Sequence, residues 1–454
     1  MAAIPVAIVF SVALALLWHS AGDVPFHGDE GDYIWNARYV GYLVLEFDST
    51  NPEWGDSYWT HTQPMLVRYI AGAWLLARGE DIEHLPPAYM HSQTPEENRR
   101  QGRIPDDALL HLARQPFVVV TALAVTLLYV LGKELGGVLA GLSTVSLALV
   151  NPLTRETMVR VTPEAPLAAL LLLTLLLGIR RTKRRYSMSL PVVGAIGVGV
   201  AAGLAVQAKL TGAMSVVSLG YWGAIIAIGA AWRTNASPRG RIIAAWLAGS
   251  GWVLAMLVAT AVFVGTNPHL YPNPIEHTSH LAHQRVTEMH QHREWFPSSS
   301  TRGIRDQLRY VLGGSLVIGH LRNDGDPVVG EGIPVGLVFA PIGVVLLLWR
   351  CWQSVMRVRR IPREGLVLTT TAVYVLMTAG TIHMYWSRYL LPTVLLGSLL
   401  TGLGIAAVIR WLVAGICNAS AARRRCAHTT SPESGIMLIG SCVWFGGSPE
   451  RGPT

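Results

Sequence analysis

The residue types best suited to chemistry stand together near the start of the chain, in Phe26-His27-Gly28-Asp29-Glu30-Gly31-Asp32-Tyr33-Ile34-Trp35-Asn36-Ala37-Arg38-Tyr39. Carboxylates this close at a low-dielectric boundary can differ in pKa, so one of them can supply a general base. Tyr33, Ala37, Val40 and Val44 recur at helical spacing behind them, which predicts a helix lying in a membrane interface and holding the acids against its surface. A second cluster, His277, His280 and His283 followed by His290 and His292, has spacing that drifts around a helix, with no Cys or tight acidic partner. No metal site is expected there. Gly194, Gly197, Gly199 and Gly203 follow no strand, so they read as close helix packing rather than a nucleotide-binding loop.

The elements that must position these residues follow from composition. Of 454 residues, 51% are hydrophobic and 14% charged, with a mean hydropathy of +0.37, which excludes a soluble enzyme and describes an all-α polytopic membrane protein. A spanning helix needs about 20 mostly apolar residues. Ten stretches come near that length: Ala2–Trp18, Pro116–Gly132, Leu135–Val150, Ala165–Ile179, Leu190–Ala208, Leu210–Trp232, Ile242–Val264, Ile333–Trp349, Gly365–Ile382 and Leu390–Ile409. The net charge of +8 resides in short basic clusters: Arg180 to Arg185, Arg233 to Arg241, Arg350 to Arg363, and Arg410 with Arg423 to Arg425. With ten spans all four clusters fall on one side, which the positive-inside rule makes cytoplasmic. Both termini are then inside a plasma membrane, and two long segments, about 19–115 and 265–332, lie outside it. Neither His nor Cys enters that assignment, yet all His but His428 fall outside, and Cys351, Cys417, Cys426 and Cys442 fall inside or at that edge. No disulfide is expected, and the first span, lacking a charged n-region, reads as retained. Basic charge distributed in this way does not point to nucleic acid. Residues 1–410 are read as one transmembrane catalytic domain and 411–454 as a largely disordered cytoplasmic tail.

Six motifs, in order and all on the outer face, carry a resemblance. An Asp29-Glu30 pair directly after the first span, followed by Tyr33 and a helix, resembles the first external loop of the GT-C superfamily of membrane glycosyltransferases. More narrowly it is similar to the protein O-mannosyltransferase (family 39) and lipid A aminoarabinose transferase branch. His61-Thr62-Gln63-Pro64-Met65-Leu66 stands where relatives carry a Pro-Pro-Leu motif opening a second interfacial helix. Asn151-Pro152 to Arg160 and then Pro163-Glu164, Gly203-Leu204-Ala205 to Lys209-Leu210-Thr211, Asn267-Pro268-His269-Leu270-Tyr271-Pro272-Asn273-Pro274 and Trp386-Ser387-Arg388-Tyr389-Leu390-Leu391-Pro392 complete the series. Relatives of the aminoarabinose type have an Arg before the Tyr of the first motif and a Lys beside the Pro-Pro pair, where this chain has Asp32 and Thr62. Its phosphate contacts must therefore differ from theirs.

The resemblance implies a glycosyltransferase that moves a mannose-like hexose, or a pentose, from a polyprenyl-phosphate carrier to an acceptor hydroxyl on the extracytoplasmic face, with inversion. Protein glycosylation is one such reaction, and lipid, glycan and protein all qualify as acceptors. Asp29 is then the general base, and Glu30 orients it, holds a sugar hydroxyl or contributes to a cation site. Arg160, Lys209 and Arg388 would neutralise the departing phosphate, with Tyr33, His61, Glu164, His269, Tyr271 and Tyr389 lining the substrate site. Cations of this kind suit the task, since Arg offers a bidentate fork for phosphate oxygens. The sequence specifies no cofactor and leaves the metal requirement open; a divalent cation at the acidic pair is the candidate the residues offer. The competing class is a transporter or flippase, which tends to show repeated halves and ionisable groups at mid-membrane; this chain shows neither clearly. A scaffold retaining the fold without catalysis is a third class, which retained activity in Asp29→Asn would favour.

Overall fold

The computed structural model describes residues 3–56, 58–182, 191–234, 237–317, 333–358 and 362–429. All named elements among them are helices: α1 (Ala3–Asp23), α2 (Gly28–Trp35), α3 (Glu53–Asp56), α4 (Tyr58–Thr62), α5 (Leu66–Ala77), α6 (Pro95–Arg100), α7 (Asp107–Val150), α8 (Pro152–Thr157), α9 (Glu164–Thr182), α10 (Val192–Ala208), α11 (Ala213–Arg233), α12 (Pro238–Gly265), α13 (Pro274–Trp295), α14 (Ile304–Leu316), α15 (Val335–Val358), α16 (Glu364–Thr381) and α17 (Leu391–Thr429). The chain is an all-α polytopic membrane protein. Among the described residues, six helices are long and apolar enough to cross a membrane by length and composition, and the ten apolar stretches all coincide with helices.

Two of those stretches share α7. The helix is interrupted at Gly137, with φ 78° and ψ 179°, a conformation open to glycine alone. The chain reverses there. A Cβ on Gly132 would come within 2.9 Å of the Gly141 Cα, so the two halves pack as a hairpin with glycines at the seam. Beside the turn, Arg180 pairs with Glu134 at 2.6 Å, and Arg363 donates to the Glu134 carbonyl at 3.1 Å. Arg350 donates to the carbonyl of Leu135. Residues from two of the basic clusters thus gather at one end of the bundle. Lys183 to Arg185 and Arg359 to Arg360 lie outside the described residues.

Small residues set the packing of α10 on α12. Cβ atoms on Gly199 and Gly203 would approach the carbonyls of Ala255 and Ala259 to 2.5 Å, and Val258 and Val262 to 2.7 and 2.8 Å. Close backbone approach of this kind substitutes, in lipid, for a hydrophobic driving force between helices. Gly203→Leu is accordingly expected to lose about 1–3 kcal/mol through overpacking, seen as a lower melting temperature of the purified chain in detergent; an unchanged value would reject this packing. The outward faces are apolar. On α1, Ile4, Ile8, Val12 and Leu16 recur every fourth residue at 52–68% exposure, a stripe suited to acyl chains.

The first long segment departs from expectation. The residues after Asp32 form α2, then a 3₁₀ turn over Asn36–Arg38 and a π-helical turn over Gly41–Leu45. Tyr33, Ala37 and Val40 are buried against Val67, Ala71 and Leu75 of α5, so the stripe faces protein rather than a membrane interface. Residues up to Ala407 form one unit and those from Val408 a second. α17 runs on to Thr429, so 411–429 is helical, and the expected disorder beyond it falls outside the described residues.

Candidate active site

α2 begins with an interlocked cap. Nδ1 of His27 accepts from the Asp29 N–H at 3.2 Å, and the Glu30 carboxylate accepts from the His27 N–H at 3.1 Å. Burial lowers the pKa of His27, which keeps it neutral and able to accept. Gly28 leaves room for the neighbouring loop: a Cβ there would meet Tyr89 at 2.7 Å and His91 at 2.9 Å.

Glu30 is fully buried and faces away from solvent. Arg114, one residue before Gln115 and Pro116 of the second apolar run, donates to it from Nε at 2.8 Å and Nη2 at 2.6 Å. The Val161 N–H adds a third bond at 3.1 Å. The same guanidinium donates to the carbonyls of Ala21, Val24 and Pro25 at 2.7 to 3.2 Å. Of the roles implied for Glu30, the geometry supports only orientation of Asp29. Contact with a sugar or a cation is precluded because both oxygens are taken. Sequence reasoning missed Arg114, whose signal was a lone cation at the edge of an apolar run.

Asp29 points the other way and is a quarter exposed, in contact with Nη1 of Arg388 from the last motif. Burial alone would raise its pKa, but the Arg388 guanidinium, aided by His91, holds the carboxyl well below the usual range. Asp32, one turn on, behaves oppositely. Burial pushes its carboxyl from 3.8 up to about 6 against the hydrogen bond from His91, whose Nε2 lies 3.1 Å away. That bond raises the pKa of His91 in turn. Because the folded state favours protonated Asp32, its stabilising share is present at low pH and is lost between pH 3.8 and about 6. Asp32→Asn should therefore melt higher than the native chain at pH 7, by at most ~3 kcal/mol in stability, and the difference should close toward pH 4. A lower melting temperature at pH 7 would contradict this. Asp29, Asp32 and His91 are the one His/Asp/Glu group among the described residues with ligand atoms all within 4.8 Å; the histidines of α13 form none. Arg388 already supplies positive charge to that group.

Three cations converge on one ring. Lys209 Nζ lies 4.4 Å and Arg388 Cζ 5.6 Å from the centroid of Tyr389. Nη2 of Arg285, on α13, donates to the Tyr389 hydroxyl at 3.0 Å. Each cation has its own carboxylate: Glu164 for Lys209 at 2.9 Å, Glu288 for Arg285 at 2.7 Å, and Asp29 for Arg388. Glu288 also accepts from Tyr58 at 2.6 Å, tying both long segments to the site. Arg285 and Glu288 were not read as functional, although an Arg and a Glu three apart on a helix form a pair by spacing alone. Trp386 stacks on Tyr389 and abuts His292 at 5.0 Å.

The other expected residues divide. The buried Nε of Arg160 has no hydrogen-bond partner, and its guanidinium feels the charges of Glu30, Glu156 and Arg388, so it borders the site. Tyr33 is buried and donates to Gln63. The departure from Pro-Pro at 63 therefore has a partner inside the first motif. His269 bonds through Nδ1 to the Trp54 carbonyl at 2.9 Å and stacks on His277, and Tyr271 donates to the Gly265 carbonyl at 2.7 Å. Neither of these bonds joins the cluster of Asp29 and Tyr389; both fix the second loop where α12 ends. The His61 side chain lies outside the described positions.

The family model described as dolichyl-phosphate-mannose-protein mannosyltransferase matches residues 109–264, which include Arg160, Glu164 and Lys209 but not Asp29 or Arg388. No curated protein matches the chain. Among solved structures it is similar to ArnT from Cupriavidus metallidurans bound to undecaprenyl phosphate, at 14% identity and TM-score 0.47 over 89% of this chain and 60% of that one. It is also similar to the oligosaccharyltransferase AglB from Archaeoglobus fulgidus, in complex with an inhibitory peptide and a dolichol-phosphate, at 14% identity and TM-score 0.48 over 91% and 52%. The chain thus spans between half and two thirds of their length. With a family model of mannosyltransferases matching its central helices, the chain resembles the protein O-mannosyltransferase branch of the GT-C glycosyltransferases.

Proposed function

We propose that the chain is a polyprenyl-phosphate-sugar-dependent glycosyltransferase. The observation that carries the reading is the meeting of Asp29 with Arg388, beside Lys209 and Arg285 around Tyr389. One carboxylate that can take a proton stands next to cations that can take a phosphate, and inverting glycosyl transfer needs both. The acceptor hydroxyl attacks the anomeric carbon of the donor, and its proton passes to Asp29. The bond from that carbon to the phosphate oxygen breaks, and the leaving polyprenyl phosphate keeps the electron pair as an anion held by Arg388, Arg285 and Lys209. One displacement gives inversion. Glu30 and Arg114 fix α2, and with it Asp29. The gathering of Arg180, Arg350 and Arg363 at the opposite end favours a cytoplasmic location for that end. The site then faces the extracytoplasmic side of the plasma membrane. A mannose-like hexose is the proposed sugar, and the acceptor is a hydroxyl of lipid, glycan or protein.

The test is transfer from radiolabelled polyprenyl-phosphate mannose, then from other polyprenyl-phosphate sugars, by the purified chain in lipid with a membrane extract supplying acceptor. Label moving into product supports the reading. Absence of turnover with every such donor would reject it and bring the transporter class forward.

A further inference from the structure

Three ion pairs surround Tyr389, and a lipid phosphate can engage the cations fully only where a carboxylate yields. The pairs are not equivalent. The side chains of Glu164 and Glu288 are 3% and 5% exposed, whereas that of Asp29 is 24% exposed. A carboxylate stripped of its cation in a buried place retains no hydration to offset the loss, and breaking such a pair costs several kcal/mol. A part-exposed carboxylate can recover water. Glu288 is held further by Tyr58 at 2.6 Å, while the other partners of the Asp29 carboxylate, His27 and His91, stand off at 3.5 and 3.9 Å. Arg388 is itself 27% exposed, and Trp386 and Tyr389 flank its guanidinium at 5.4 and 5.6 Å, so it can turn between ligands without leaving its aromatic support.

We infer that Arg388 is an exchange residue: without donor it neutralises Asp29 and blocks it, and the donor phosphate takes Arg388 away and so frees Asp29. The base becomes available only when the leaving group is in place. Arg388 then acts through Asp29 as a positioning residue as well as through the phosphate. The inference rests on the proposed donor class.

Because Asp29 and phosphate compete for one guanidinium, neutralising Asp29 must favour the phosphate. Binding of polyprenyl phosphate, without sugar, to the purified full chain in nanodiscs is measured for the native chain, Asp29→Asn, Arg388→Gln and the double variant. Asp29→Asn is expected to bind about tenfold more tightly than native, a coupling of ~1.4 kcal/mol. Arg388→Gln is expected to bind more weakly, and Asp29→Asn added to it is expected to gain nothing. A gain of equal size in the Arg388→Gln background would mean simple repulsion between Asp29 and phosphate, and it would overturn the exchange. So would the absence of any gain in the native background. If Arg388→Gln does not fold, Arg388→Lys keeps the charge without the fork, and the gain from Asp29→Asn must shrink there. Failure of the native chain to bind the lipid phosphate rejects the donor class itself, and with it the exchange.

Discussion

Asp29→Asn is expected to slow glycosyl transfer by about 100- to 10,000-fold, the usual contribution of a general base, without loss of fold. The carboxamide has nearly the shape of the carboxylate, and its oxygen can still accept from Arg388. What it cannot do is take the acceptor proton. The neighbours do not substitute for it. Glu30 is fully buried under Arg114, and Asp32 is largely buried and bonded to His91. The rates of native and variant chains, purified in lipid and compared at equal folded fraction by melting temperature, check this. A variant retaining more than a tenth of the native rate would remove Asp29 from the chemistry. Tighter lipid phosphate binding alongside the lost rate would separate the role of base from that of phosphate ligand, since a ligand lost from the donor would weaken both.

Much of this was legible in the sequence because membrane helices declare themselves by composition. The ten apolar stretches lie in helices, and Gly199 and Gly203 pack α10 on α12 as their spacing suggested. Asp29 and Arg388 meet across the chain although they are separated by 359 positions, and Lys209 and Glu164 form one pair. What the sequence concealed was direction. Glu30 and Asp29 are adjacent, so on a helix they point about 100° apart, one toward Arg114 and one toward Arg388. Periodicity does not say whether the apolar face of α2 meets lipid or α5; both are apolar. Arg285 and Glu288 escaped notice because α13 is polar all round, and only its approach to Tyr58 and Tyr389 singles out one face.

The pair that fixes α2 is expected to be the most sensitive point for stability. Glu30→Gln removes one charge and leaves the Arg114 guanidinium, 4% exposed, without its anion. Breaking a buried pair in this way costs about 3–5 kcal/mol. Arg114→Ala should cost at least as much, because the carbonyls of Ala21, Val24 and Pro25 lose their donor as well. The thermal transition of each variant in detergent, compared with native, measures the loss. A fall no larger than that of an exposed ion pair, which contributes at most about 1 kcal/mol, would show that the pair does not hold α2. Combining Glu30→Leu with Arg114→Met distinguishes holding from mere stabilising. Apolar replacement of both partners avoids the stranded charge, so part of the stability should return. The bond from the Val161 N–H to Glu30 does not return, nor does the tie from α2 to the end of α1. Transfer by the double variant should stay well below native even where it is folded, because Asp29 rides on α2 and a misplacement of about 1 Å at a reacting group can cost 100-fold. Native transfer rates in a folded double variant would reduce Glu30 and Arg114 to stability alone.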